Sequence, residues 1–411
     1  MTENIENRKF MKERYLLDKL PFAIKESRSS VKELWVNRVG ELAQWKKLVE
    51  KTINGGQNTI SYIVGDYGMG KTMSLFKIMS EYSQRSDVFP LYFTIKSESV
   101  HSGSIDFIFR LFENIEFIKL IENRSKNDIA RSLDKIPNEA KFSDSKNAYS
   151  YMFKLPSQNK LDLGDTEWDP RSAEITLIRN LLTGKKLTTA EKKELKGKLK
   201  ISHEIEIDTA KYYLSSLLIF MKGLGYRAMI ILVDEFEYLF SMIKKTDRPK
   251  YFALFRSLFD LSDEVDVNPD EMVPLMIFFG ISQDGYAYLN ELETRSKYEG
   301  PTPFSALKRR VEKETVLTGM NKEDCKLLIE KRLGATRVIG KEAKPPIIPF
   351  SDDFVGYISE ITGGRPSNII DYCDHVLEEG MAKRIDLISA DFAKKVLREK
   401  GFFTSDNQKA D

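Results

Sequence analysis

Residues 65–72 read GDYGMGKT, a glycine-rich run of the form G-x-x-x-x-G-K-[ST] with Gly65, Gly70, Lys71 and Thr72 in the fixed places. That spacing suits a phosphate chain. Glycines let backbone N–H groups wrap close to oxyanions, and a helix starting near Lys71 adds the positive end of its dipole. Lys71 reaches the terminal phosphates and the Thr72 hydroxyl can ligate Mg²⁺. Asp66, Tyr67, Gly68 and Met69 complete the candidate cradle. A second cluster lies in 229-MIILVDEFE-237, where an apolar run ends in Asp234 and Glu235. Such a pair at the carboxyl end of a parallel strand stands where these sheets bind ligands. Asp234 would hold the Mg²⁺ shell through water, and Glu235 would orient and deprotonate an attacking water. A kinase, a GTPase or an ATPase could use the first motif alone. The adjoining glutamate favours ATP hydrolysis over transfer to an acceptor hydroxyl.

These groups need a scaffold, and the hydrophobic pattern supplies one. The β-rich run 59–65 precedes the glycine loop and a helical pattern, 72–85, follows it. Further strands are expected at 89–96, 227–236, 273–282 and 314–320, with helices at 41–53, 105–121, 208–226, 237–245 and 249–262. Alternation of this kind predicts an α/β fold with a parallel sheet. Residues 123–207 break the rhythm: they are polar and lysine-rich, and read as a large, mostly helical insertion on the surface with a loop around 156–170. From 321 onward only helices are expected (321–333, 351–362, 366–384, 389–400), with Asn321, Ser351 and Ser389 as N-caps. The expected organisation is a helical lead-in (1–33), an α/β base domain (34–320), a helical lid (321–400) and a tail (401–411).

Composition narrows the function classes. Hydrophobic and charged fractions of 41% and 31% describe a globular chain, and a net charge of +2 argues against a strongly basic, sequence-independent nucleic-acid binder. The two cysteines, Cys325 and Cys373, show no metal-ligand spacing, and His101, His203 and His375 form no ligand set. The charged start lacks an apolar signal core and no apolar run is long enough to cross a bilayer, so a cytoplasmic protein without membrane contact is expected.

The order of phosphate loop, Asp-Glu strand, 279-FGISQD-284, basic 307-LKRRV-311 and 362-TGGRPSNII-370 resembles AAA+ ATPases. Among these it is most similar to the initiator clade, which includes origin-recognition ATPases. That clade carries an N/G-R-x-x-E-L box, matched by Asn37, Arg38, Glu41 and Leu42, which implies that Asn37 and Arg38 lie near the adenine. The resemblance also implies a P-loop AAA+ base with ATP and Mg²⁺ held between base and lid. Gln283, with Ser282 as the alternative, stands at the polar sensor of the fourth core strand. Arg309 or Arg310 stands where an arginine finger enters a neighbouring subunit's site, a surface ion pair being the competing role. Arg365 matches the second sensor, where Pro366 suits a first helical turn. A closer resemblance covers 178-IRNLLTGKKLTTAEKKELKGKLKI-201 and 223–239: it is similar to the P-loop ATP-binding proteins of BREX-type phage-defence operons. A homo-oligomer and a partner protein of a multi-component system are implied.

After the last lid helix only 401–411 remain, too few for the winged-helix DNA-binding domain usual in initiators. The lysines of 185–200 could meet DNA phosphates, although a solvated helix face is the commoner outcome for such a run. Phe402 and Phe403 either dock on the lid or meet a partner. Two readings follow: an ATP-hydrolysing machine that assembles or remodels a complex on DNA, and a slowly turning switch whose output is partner binding. A small-molecule phosphotransferase is disfavoured by Asp234–Glu235 and by the lid.

Overall fold

Apolar runs flanked by polar turns form the strands, and amphipathic helices cover them. The computed structural model describes residues 2–23, 30–36, 38–95, 105–153, 172–238, 248–299, 308, 310–341, 343 and 345–402. In chain order the elements are α1 (Thr2–Arg14), α2 (Val31–Leu34), α3 (Val39–Gly55), β1 (Thr59–Val64), α4 (Lys71–Tyr82), β2 (Val88–Thr94), α5 (Asp106–Asn114) and α6 (Phe117–Ile121). There follow α7 (Lys126–Asp134), α8 (Ala140–Met152), α9 (Ala173–Leu182), α10 (Thr189–Gly197), α11 (Ile207–Gly223), β3 (Ala228–Asp234), α12 (Arg248–Phe259), α13 (Leu261–Val265), β4 (Leu275–Ile281) and α14 (Gln283–Glu299). The last are β5 (Val311–Val316), α15 (Lys322–Gly334), α16 (Asp352–Thr362), α17 (Pro366–Ala382) and α18 (Ala390–Glu399). Two compact units result: one of Ala43–Val64 and Glu81–Thr315, the other of Met1–Leu42, Gly65–Ser80 and Val316–Asp411.

The first, α/β unit is built on a five-stranded sheet in the order β2-β3-β4-β1-β5, with β2–β3, β3–β4 and β4–β1 parallel. Strands β1, β3 and β4 are buried along their whole length, as befits parallel strands covered on both faces. Val64 pairs with Ile281 and Asp234 with Thr94, so the carboxyl ends of β1, β2, β3 and β4 share one edge of the sheet. The sheet, its non-consecutive strand order and the glycine loop leaving β1 give the parallel-sheet α/β fold class expected from the sequence. Strand β5 begins three residues earlier than expected, at Val311. Its exposed Glu312 and Lys313 are tolerable because it is an edge strand. The single helix expected over 105–121 is two, broken where Ile115 turns extended and buries its side chain. The helix expected over 237–245 falls largely outside the described residues.

One expectation is corrected. The described residues of 123–207 do not lie only on the surface: Ile129, Leu133, Phe142, Tyr149, Ile178 and Leu182 lie in the same hydrophobic core as the sheet residues Ile231 and Phe279, and the loop expected around 156–170 lies outside the described residues. The helices there are amphipathic. On α10 Lys192, Lys193 and Lys196 are exposed while Leu195 is buried, so the polar face lowers the mean hydropathy and the apolar residues face inward. Ser125 and Ser172 cap α7 and α9, and Thr188 with Glu191 forms a capping box on α10.

The second unit has its own core, in which Cys325, Phe354, Cys373 and Leu397 of α15–α18 meet Met11, Tyr15, Leu17 and Phe22. The N-terminal segment therefore belongs to this core. The Tyr15 hydroxyl donates to the Ile385 carbonyl at 2.5 Å. Asn321 and Ser389 cap their helices as expected, whereas the Ser351 hydroxyl donates instead to the Ile388 carbonyl. Phe402 docks on Tyr372, ring centroids 5.0 Å apart, and Phe403 lies outside the described residues. Among the described residues no helix is long and apolar enough to cross a membrane.

Candidate nucleotide-binding site

The glycine loop belongs to the second unit. Gly68 and Gly70 have φ of +78° and +89°, a backbone region that only glycine enters at little cost. Met69 N–H donates to the Asp66 carbonyl at 3.2 Å and closes the bend. Lys71 opens α4, and its Nζ donates to the carbonyls of Gly65 (2.7 Å) and Asp66 (3.2 Å). Thr72 follows in the first turn, and Tyr67 is 87% exposed.

The start of α17 lies against this loop. Gly363 and Gly364 both have positive φ, and a Cβ at Gly364 would stand 2.0 Å from the Met320 carbonyl oxygen. This tight passage delivers Arg365 as the N-cap residue, with Pro366 in the first turn and Ser367 N–H donating to the Gly68 carbonyl at 3.2 Å. Arg365 Nη2 lies 3.3 Å from Asp66 Oδ2, joining residues 299 positions apart in sequence. Arg38 is also drawn in: its Nη2 donates to the carbonyls of Met69 (3.0 Å) and Thr318 (3.1 Å), and Nη1 pairs with Glu41 at 3.4 Å. Burial pushes the pKa of this guanidinium down, opposed by Glu41. Asn37 lies outside the described residues.

In the α/β unit, Asp234 ends β3 and is 3% exposed. Its Oδ2 accepts from the Tyr92 hydroxyl at 3.2 Å and its Oδ1 from Glu235 N–H at 3.0 Å. Glu235 has φ +55°, a left-handed conformation that is costly for a non-glycine residue and recurs at functional turns. Tyr92 was not singled out from the sequence. The signal was there, since period-two alternation on β2 puts Tyr92 and Thr94 on one face, and their oxygens are 3.0 Å apart.

Other expected residues stand differently. Strand β4 stops at Ile281, so Gln283 is the exposed first residue of α14, and the Ser282 hydroxyl accepts from Gly285 N–H at 3.1 Å as a cap. Arg310 precedes β5, where its Nη2 lies 2.7 and 2.5 Å from the two Asp260 carboxylate oxygens. A cleft of about 430 Å³ there is lined by Asn58, Asp260, Asp263, Pro274, Arg310 and Glu312, beside the amino ends of β1, β4 and β5. Arg310 thus has a carboxylate partner within its own chain; Arg309 lies outside the described residues. Of the lysines in 185–200, Lys192 pairs with Glu204 and Lys198 with Glu174, leaving a mixed-charge face. Among the described residues no group of three or more His, Cys, Asp or Glu side chains is arranged to hold a metal.

Residues 178–284 match the family described as BREX system ATP-binding protein BrxC/D. The resemblance drawn from 178–201 and 223–239 is borne out over that stretch. The BrxC/D match runs from α9 through α10, α11 and β3, with Asp234 and Glu235, to the start of α14. The chain is also similar to solved structures. These include Aeropyrum pernix ORC2 in its ADPNP–ADP complexes (12% identity, 95% of this chain and 73% of that one, TM-score 0.49) and Cdc6p from Pyrobaculum aerophilum (14%, 97% and 73%, 0.44). A third is the Thermotoga maritima RuvB Holliday junction branch migration motor (11%, 89% and 70%, 0.38). No curated protein matches the chain.

Proposed function

We propose that this chain is a cytoplasmic AAA+ ATPase that binds ATP with Mg²⁺ on the loop 65–72 and hydrolyses it to drive assembly or remodelling of a DNA-associated complex in phage defence. The observation that carries the reading is Arg365 brought to 3.3 Å from Asp66, beside the loop that holds Lys71. Two cations on one glycine-lined cradle suit a polyphosphate better than any neutral ligand. Lys71 and Arg365 would neutralise the phosphates, and Glu235 would orient the water. Thr72 and, through water, Asp234 would hold Mg²⁺, a hard ion that keeps most of its own waters and needs few protein oxygens. The BrxC/D match supports the ATP-binding and defence parts of this reading. Oligomerisation with copies of itself and a partner protein belong to the same proposal.

A second reading, a slow switch whose output is partner binding, is favoured by Arg310. An arginine already paired with Asp260 must leave that carboxylate before it can serve a neighbouring subunit. The test is steady-state ATP hydrolysis with and without duplex DNA, beside light scattering in ADP and in a non-hydrolysable ATP analogue. Turnover stimulated by DNA and abolished by Glu235→Gln, with ATP binding kept, supports the first reading. Nucleotide-dependent assembly with negligible turnover supports the second. A chain that binds no ATP, or binds it equally after Lys71→Ala, overturns both.

A further inference from the structure

The box containing Arg38 resembles one used near the adenine, yet this side chain is committed elsewhere. Only 9% of it is exposed. Nη2 carries two hydrogens, and both carbonyls within its reach, Met69 and Thr318, take one. The backbone is committed as well: Arg38 sits at φ +125°, a sparsely populated region, and its carbonyl accepts from Leu42 N–H at 2.9 Å as α3 begins. The other end of the glycine loop rests on the same segment, since a Cβ at Gly65 would lie 3.2 Å from Leu317 Cβ. The loop thus meets residues 317–318 at both ends, by close packing at Gly65 and by hydrogen bonds through Arg38 at Met69.

We propose that Arg38 is a positioning residue for the phosphate loop, its guanidinium joining the Met69 and Thr318 carbonyls to fix the bend that presents Gly70 and Lys71 to a phosphate chain. This rests on the nucleotide reading above and assigns Arg38 to the phosphate end of the ligand. A planar guanidinium suits the task because Nη2 takes both carbonyls while Nη1, held rigidly in the same plane, keeps Glu41 at 3.4 Å; a single ammonium has no second fixed nitrogen for that third partner. The base plays no part in it.

The full chain and its Arg38→Met and Arg38→Lys variants are titrated calorimetrically with ATP and with inorganic tripolyphosphate, which has phosphates and no base. Arg38→Met is expected to weaken both by the same factor, about tenfold, the scale of one lost charge-assisted hydrogen bond. Arg38→Lys is expected to fall between. Hydrogen exchange supplies a readout that needs no ligand: amides of 65–72 are expected to exchange faster in Arg38→Met while those of α16 and α18 stay unchanged. Faster exchange throughout the second unit identifies Arg38 as a general packing residue and overturns the proposal. A loss confined to ATP overturns it too, by showing that Arg38 reads the base, as does unchanged affinity for both ligands. If the unsubstituted chain binds neither, the nucleotide reading itself fails.

Discussion

Gly68→Ala tests the contact between the phosphate loop and α17. Two costs are expected. A Cβ in the left-handed region at φ +78° costs about 1–2 kcal/mol. That Cβ would also stand 1.9 Å from Ser367 Oγ and 2.5 Å from Ser367 Cβ, an overlap that must push the start of α17 aside at about 1–3 kcal/mol. Gly70 is the internal control: its φ is +89°, and a Cβ there meets nothing within 4 Å. Gly70→Ala should therefore carry the backbone cost alone, and the difference between the two substitutions isolates the overlap. Adding Ser367→Gly to Gly68→Ala should recover that difference, a coupling read by a double-mutant cycle. Native-state hydrogen exchange at the α17 amides measures it, because their opening free energy reports the local packing. Equal costs for Gly68→Ala and Gly70→Ala, or no recovery with Ser367→Gly, would refute the close approach and with it the placement of Arg365 over the loop.

Phe142→Ala should destabilise the α/β unit by about 3–5 kcal/mol, since the ring is fully buried against Tyr212; a cost under about 1 kcal/mol in denaturant unfolding would return 123–207 to the surface. Asp66→Asn removes the carboxylate that competes with phosphates for Arg365. The pair is half-exposed, so ATP affinity should rise only about two- to fivefold and the gain should shrink with salt; a fall in affinity at low salt counts against the competition. Cys325 and Cys373 are fully buried, and burial pushes both thiols up, so less thiolate is present at any given pH. A thiol reagent at pH 8 should label the native chain slowly and the denatured chain at both positions. Rapid labelling of the native protein would contradict this packing.

What could be read in advance was whatever chemistry is local in sequence. The glycine spacing of 65–72, the apolar run into Asp234–Glu235 and the strand-sized segments of β1, β3 and β4 each carry their meaning within ten residues. The described helices of 123–207 read as surface elements because average polarity hides an inward stripe: Phe142, Ser145 and Tyr149 share a buried face that composition blurs. Contacts set by the closed fold were invisible. Nothing near Tyr15 announces Ile385, nothing near Arg38 announces Thr318, and Arg310 meets Asp260 only because β5 begins beside the turn between α12 and α13. Strand β4 ends one residue short of its expected bound, at Ile281, so Ser282 caps α14 and Gln283 opens it.

The second unit is discontinuous, and this shapes the birth of the protein. Met11, Tyr15 and Leu17 are made well ahead of the helices that shelter them, which are encoded after residue 320. At translation speeds of about 5–20 residues per second, those side chains wait some tens of seconds for their partners. During that interval the sheet and its helices can already be folded while the phosphate loop has neither Thr318 nor Arg365 to lean on. On the proposed ATP-binding reading, a nascent chain should acquire its grip on nucleotide only late in synthesis, and the apolar segment around Met11–Leu17 is a natural client for holding chaperones.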